Sequence, residues 1–177
     1  MFFLKDLTHT INLHPSYFGP SVTPYLRSKL ITDVEGTCTG RYGYIIAVMG
    51  IKDAGTGVIQ PGNGMAEFDV KYSALVFKPF KGETLEGTVT NVNKMGFFTE
   101  VGPVQVFVST HLIPATMKFD PASNPPRFAT DSEEADEIMI EKGTKVKLKV
   151  VGTRVDATEI FAIGTIKEDF LGPVMDL

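Results

Sequence analysis

Gly82-Glu-Thr-Leu-Glu-Gly-Thr-Val-Thr-Asn-Val-Asn-Lys-Met-Gly-Phe-Phe-Thr-Glu-Val-Gly-Pro-Val-Gln-Val-Phe-Val108 reads as three consecutive strands. Apolar residues recur at every second position through Leu85 and Val89, broken at Gly87, and again at Val104, Val106 and Val108. That alternation marks strands with one buried face. Gly87 and Gly96 interrupt it where a curved wall must bend or bulge, because glycine tolerates backbone angles that other residues resist. Gly102-Pro103 supplies the tight turn into the third strand. Three short strands joined in this way open a small closed β-barrel.

Toward the C-terminus, residues 114–137 hold Pro114, Pro121, Pro125 and Pro126, followed by Asp131, Glu133, Glu134, Asp136 and Glu137. Such a composition predicts a long acidic, proline-rich surface insertion, mobile at its acidic end, with too little apolar content for a core. Strands resume at residues 144–151, where Val146, Leu148 and Val150 alternate with Lys145, Lys147 and Lys149. A last strand covers residues 159–166. Five strands with an insertion after the third fit a Greek-key OB-fold barrel.

On the N-terminal side, Leu7, Ile11 and Leu13 share one strand face with His9, while Thr8, Thr10 and Asn12 take the other. Phe18-Gly19-Pro20 is a turn, and Ser21 is placed to cap a helix running to about residue 35, with Pro24 in its first turn. Val22, Leu26, Leu30 and Val34 form the apolar stripe of that helix, and Gly36 stops it. Residues 42–51 are β-rich, residues 50–57 have the glycines and aspartate of a turn, and Val58-Ile59 is a short strand. After the turn Pro61-Gly62-Asn63-Gly64, residues 66–77 read as one long strand. The expected result is an α+β domain, an antiparallel sheet with one helix on a face. Residues 78–82 mark the boundary between domains 1–81 and 82–177.

Bulk chemistry narrows the function. The single cysteine, Cys38, excludes an internal disulfide and any cysteine-rich metal site, and suits a reducing compartment. No apolar run approaches the roughly 20 residues of a membrane helix, and the opening Met-Phe-Phe-Leu-Lys-Asp lacks the basic region of a signal peptide; a soluble intracellular protein is expected. Net charge is −4, but residues 1–81 carry 8 basic and 6 acidic side chains, whereas residues 82–177 carry 9 and 15. An acidic barrel lacks the phosphate-neutralising charge of an autonomous nucleic-acid binder. His9, His14 and His111 are scattered, Gly55-Thr-Gly57 and Gly62-Asn-Gly64 lack the strand-to-helix setting of a phosphate loop, and the acidic run belongs to a loop. No catalytic residue, metal or cofactor is expected.

Read in order, Met1-Phe-Phe-Leu-Lys-Asp-Leu7, His14-Pro-Ser-Tyr-Phe-Gly-Pro20, Val34-Glu-Gly-Thr-Cys-Thr-Gly40, Phe68-Asp-Val-Lys-Tyr72, Val76-Phe-Lys-Pro-Phe-Lys-Gly82, Asn124-Pro-Pro126 and Ala162-Ile-Gly-Thr-Ile-Lys-Glu-Asp-Phe-Leu-Gly172 span the whole chain. Together they resemble the stalk-subunit family of RNA polymerases, typified by the seventh-numbered subunit of RNA polymerase II and, more distantly, its archaeal counterpart. The resemblance implies a truncated ribonucleoprotein-like N-terminal domain and an OB barrel of the ribosomal-protein-S-one type. It also implies a non-catalytic subunit that pairs with the fourth-numbered subunit, docks on the polymerase core, supports initiation and weakly contacts emerging single-stranded RNA. Its implied compartment is the nucleus, with shuttling to the cytoplasm left open. The matching docking tip comprises Tyr17, Phe18, Gly19, Pro20, Gly57, Pro61, Gly62, Asn63, Gly64 and Met65. Two alternatives are a stalk subunit of another nuclear polymerase and a free-standing RNA-binding module.

The S-one pattern carries an aromatic before the second-strand glycine, another two residues after it, and a histidine after the third strand; this sequence has Met95, Phe98 and Ser109 there, with His111 out of register. Phe98 and Phe107 suit either a base-stacking platform or the barrel core. Lys145, Lys147 and Lys149, with Arg154 extending the row, suit either a phosphate track or a solvated strand face. Asp156 suits either a polar site position or a turn.

Overall fold

The computed structural model describes residues 1–131 and 138–174. The acids Glu133, Glu134, Asp136 and Glu137 of the expected mobile run lie outside the described residues. The chain divides into two compact units, residues 1–78 and 79–177.

The first unit contains β1 (Phe2–Leu13), α1 (Val22–Val34), β2 (Cys38–Thr39), β3 (Gly43–Asp53), β4 (Val58–Ile59) and β5 (Ala66–Phe77). Its antiparallel sheet has the order β1-β5-β3-β2, with β4 beside the start of β5. Strand β1 pairs with β5 along its whole length, from Phe2 opposite Phe77 to Leu13 opposite Ala66. Leu26, Leu30 and Val34, at helical spacing on α1, pack against Ile11, Ile45, Val70, Tyr72, Ala74 and Val76 on one sheet face. Burial of each such leucine contributes about 1.5–3 kcal/mol. Two local expectations change. Ser21 holds the N-cap position but makes no side-chain cap bond, and β3 runs through the glycine and aspartate at 50–53, leaving the turn to residues 54–57. Bulges opposite Val76–Leu75, Ala74–Ser73 and Tyr72–Lys71 let β3 absorb those residues within the ladder.

The second unit contains β6 (Thr84–Asn93), β7 (Gly96–Val101), β8 (Val104–Ser109), β9 (Met117–Asp120), β10 (Arg127–Thr130), β11 (Met139–Ile140), β12 (Lys145–Val155), β13 (Ile160–Thr165) and β14 (Gly172–Pro173). Strands β13-β8-β7-β6-β12 are joined in that order and β12 also pairs with β13, so the barrel closes. Only the β8–β13 contact in this ring is parallel. Val89, Phe97, Val104, Val106, Val108, Val146, Leu148, Val150 and Ile160 fill it. Gly96 is required where β7 crosses β8: its φ is +145°, and a Cβ there would sit 2.0 Å from the Val108 carbonyl oxygen.

The insertion differs from the expected unstructured loop. Strands β9, β10 and β11 form a small sheet, with Phe128 opposite both Phe119 and Ile140. Phe128 is only 2% exposed, and its ring lies 5.4 Å from that of Phe119 and 6.5 Å from that of the barrel residue Phe97. A few apolar residues suffice because they pack on a core that already exists, a non-local contribution invisible to composition.

Candidate docking tip and nucleic-acid face

At one end of the first sheet the pairing of Leu13 with Ala66 draws the two expected docking turns together. His14 begins the first: its Nδ1 accepts the Ser16 N–H at 3.2 Å, and the Phe18 N–H donates to the Pro15 carbonyl at 3.1 Å. The Tyr17 ring stacks on Tyr25 with centroids 4.1 Å apart, and Tyr17 and Phe18 remain exposed. Residues 16–21 and Tyr25 line a depression of about 210 Å³. In the second turn, the Gln60 N–H donates to the Met65 carbonyl at 2.8 Å and the Met65 N–H donates to Asn63 Oδ1 at 3.0 Å. Gly57 adopts φ +69° against the Phe68 ring, where a Cβ would approach to 2.6 Å. Pro61, Gly62, Asn63 and Gly64 are exposed and Met65 is half-buried. A Cβ on Gly64 would lie 3.8 Å from Pro15 Cγ, which measures how close the two turns come.

Sequence reasoning missed the most exposed apolar pair of this tip. Val58 and Ile59 on β4 are 66% and 65% exposed. The available signal was an apolar dipeptide too short to bury a face, held between two glycine turns.

On the barrel, Phe98 lies opposite Phe107, and Phe107 lies opposite Ile163. These residues are outside the core: Phe98 and Phe107 are half-buried, with centroids 4.8 Å apart and planes inclined by 41°. The core alternative for the two rings is therefore removed; Phe97, one residue earlier, fills the interior. Exposed Phe161 and Ile163 enlarge the apolar face, and Arg154 pairs opposite Phe161. Alternation in β13 could have revealed them, since buried Ile160 and Ala162 force their neighbours outward. Met95 and His111 are exposed, and Ser109 Oγ accepts the His111 N–H at 3.4 Å. Asp156 makes the β12–β13 turn, its N–H donating to the Glu159 carbonyl at 2.8 Å.

The lysine row occupies a separate side. Strand β12 pairs with β6, β13 and β14 but with neither β7 nor β8, so Lys145, Lys147 and Lys149 are not paired beside the aromatic residues. Lys147 stands opposite Glu86, and Lys149 Nζ donates to both Glu168 oxygens at 3.0 and 2.8 Å. Carboxylates thus offset much of the row's positive charge.

Elsewhere, His9 Nε2 lies 3.5 Å from Asp33 Oδ2 in a cavity of about 430 Å³ also lined by Tyr42 and Tyr72. Burial pushes the Tyr72 hydroxyl above its ordinary pKa. Among the described residues, no three histidine, cysteine or acidic side chains gather as a metal site, and no helix is long and apolar enough to cross a membrane.

A helix-backed antiparallel sheet followed by a closed five-stranded barrel with an outward aromatic pair defines a two-domain protein of the SHS2-plus-S1 class. Residues 8–64 match the model described as "SHS2 domain found in N terminus of Rpb7p/Rpc25p/MJ0397", and residues 78–163 match "S1 RNA binding domain". The chain is 57% identical to DNA-directed RNA polymerase II subunit rpb7 of Schizosaccharomyces pombe, over 97% of its own length and 98% of that protein's. It is 46% identical to subunit RPB7 of Saccharomyces cerevisiae over 98% of this chain and 100% of the other. RNA polymerase V subunit 7 of Arabidopsis thaliana is 33% identical over 78% of this chain and 76% of that one. The chain belongs to the Rpb7 family of RNA polymerase II subunits.

Proposed function

We propose that this chain is a non-catalytic subunit of nuclear DNA-directed RNA polymerase II. It pairs with the fourth-numbered subunit in a stalk heterodimer, docks on the core through the tip, supports initiation and contacts emerging RNA. The observation that carries this reading is the near-complete match to polymerase II subunits at 46–57% identity, against 33% over a shorter span for the polymerase V relative. Tyr17, Phe18, Val58 and Ile59 supply exposed apolar anchors at the tip, and apolar anchors are the usual centre of a protein interface. Phe98 and Phe107 offer ring faces on which bases can stack, and Arg154 stands opposite Phe161, whose strand β13 pairs with the strand of Phe107.

The mechanism is effective concentration. The residues from 82 onward carry 15 acidic against 9 basic side chains, too little positive charge to capture RNA tightly from solution. Held on the polymerase, the same barrel meets a transcript delivered beside it, and weak stacking then suffices.

Affinity purification of the tagged chain from cells tests the assignment. Recovery of the largest polymerase II subunit is expected. Recovery of only polymerase III-specific subunits, or of the chain free of any polymerase, overturns it.

A further inference from the structure

The cavity of about 430 Å³ in the first unit has no part in the docking tip or the aromatic face. It lies at the C-terminal end of α1, between Asp33 and Val34 of the helix, His9 on β1, Tyr42 before β3 and Tyr72 on β5. Its lining includes two carboxylates, Asp6 and Asp33, but no lysine or arginine. Lys52 engages Asp6 at 2.7 Å, which leaves Asp33 as the charge that matters.

The end of α1 is electrically open. A helix C-terminus carries partial negative charge on carbonyls that lack intrahelical donors, and a basic side chain is favourable there. The last turn of α1 holds no basic residue; it holds Asp33, of the unfavourable sign. The Thr37 N–H, four residues past Asp33, donates instead to the Val34 carbonyl at 3.2 Å, so the Asp33 carbonyl has no donor among the described residues. Lys29 Nζ meets Asp33 Oδ1 at 2.9 Å, whereas Oδ2 faces His9 Nε2 at 3.5 Å. That distance exceeds the roughly 2.7–3.2 Å of an N–H···O bond, and Oδ2 keeps room for a donor.

Tyr72 gives an independent indication. It lines the same cavity while only 3% exposed, and its hydroxyl has no hydrogen-bond partner among the described residues. Buried polar groups are ordinarily paired, so an unpaired hydroxyl at a cavity wall points to a guest. The Arg41 guanidinium, outside the lining, lies 5.2 Å from the Tyr42 ring centroid, so that ring already attracts a group of this kind. Acceptors spread over a carboxylate, a carbonyl and a hydroxyl call for several donors in fixed directions. A guanidinium carries five in one plane, whereas an ammonium is a compact point charge. An anion would meet no basic group in the lining.

We propose that this cavity binds a guanidinium group, carried by a small guanidine or by an arginine side chain of another protein. Asp33 Oδ2, the Asp33 carbonyl and the Tyr72 hydroxyl accept its N–H groups, with the Tyr42 ring beside it. The site goes beyond the docking and RNA readings and depends on neither.

Isothermal titration of the full-length chain with n-butylguanidinium, n-butylammonium, uncharged n-butylurea and a capped Gly-Arg-Gly tripeptide tests the proposal. n-Butylguanidinium should saturate one site and bind about tenfold or more tighter than the urea, because charge-assisted bonds are the stronger ones. Asp33→Asn should weaken it about tenfold or more, and Tyr72→Phe about three- to tenfold. Lys29→Gln frees Oδ1 and should strengthen binding about threefold, a gain that damage to the fold does not produce. Its side chain is exposed, which keeps the test decisive if Asp33→Asn melts early. A tripeptide that binds tighter than n-butylguanidinium assigns the guest to a protein's arginine; equal or weaker binding assigns it to a small guanidine, and both support the site. No saturable binding of either guanidinium below about 10 mM overturns the proposal. So does equal affinity for n-butylurea or n-butylammonium, or an affinity within twofold of the unaltered chain in both Asp33→Asn and Lys29→Gln.

Discussion

Phe98 on β7 and Phe107 on β8 are directly opposed across the ladder, with ring centroids 4.8 Å apart on the outside of the barrel. The pair is therefore available to a ligand without opening the core. Stacking of a base on such a ring is worth about 1–3 kcal/mol. The double substitution Phe98→Ala and Phe107→Ala should weaken oligouridylate binding about tenfold or more at fixed salt. The salt slope should stay unchanged because no phosphate contact is removed. Fluorescence anisotropy over a salt series checks both expectations; a full affinity retained by the double variant would exclude this face.

Reversing Lys145, Lys147 and Lys149 to glutamate probes the other side of the barrel. A lysine that contacts phosphate contributes roughly one unit of salt slope. With Lys149 held by Glu168 and Lys147 facing Glu86, the triple variant should lower the slope by at most about one unit, not three. It should leave stacking intact. The same anisotropy series provides the measurement, and a loss larger than that of the phenylalanine variant would move the RNA path onto β12.

The packing of Phe128 leads to a stability prediction. Its ring lies between Phe97 of the barrel and Phe119 of the insertion. Phe128→Ala should destabilise the second unit by about 3–5 kcal/mol through lost burial and the cavity left behind. Denaturant unfolding of the full-length chain measures this. A change below about 1 kcal/mol would mean that the insertion folds independently of the barrel.

These residues also show what the sequence made legible. Val146, Leu148 and Val150 on β12, and Leu26, Leu30 and Val34 on α1, were readable because burial follows a local period of two or near four. Phe128 was not, because its burial depends on Phe97, distant in sequence. The choice between Phe97 and Phe98 was equally closed to a local reading. Two adjacent phenylalanines follow Gly96, and its conformation against Val108 decides which ring turns inward. The two turns at this end of the sheet could be found from glycine and proline, but the exposure of Val58 and Ile59 depends on β4 pairing only with β5.

Alkaline stability should report on Tyr72. Burial raises the folded-state pKa of its hydroxyl above the ordinary 10.0, whereas the unfolded chain ionises near the ordinary value. A raised folded value means the contribution is fully present below about pH 10 and lost as pH rises through the folded pKa. Lys29 acts in the same direction: its hydrogen bond and charge interaction with Asp33 raise its pKa. Tyr72→Phe should therefore reduce, without abolishing, the loss of stability above pH 10. Urea unfolding from pH 8 to 11 checks the slope, and an unchanged alkaline limb would exclude Tyr72 as its source.

Ile59 separates folding from docking at the tip. It is 65% exposed on β4, opposite Ala66, so a charge there costs little burial, and Ile59→Glu should change stability by no more than about 0.5 kcal/mol. At an apolar docking centre the same carboxylate would be desolvated without a partner, a penalty of several kcal/mol. The tagged variant should retain the fourth-numbered subunit yet lose most of the largest polymerase II subunit on purification from cells. Because the proposed stalk partner serves as an internal reference, misfolding and undocking give different results: misfolding removes both proteins, while undocking removes only the core. Retention of both at the level of the unaltered chain would exclude Ile59 from the docking surface and leave Tyr17 and Phe18 as the anchors to be tested at this end of the sheet.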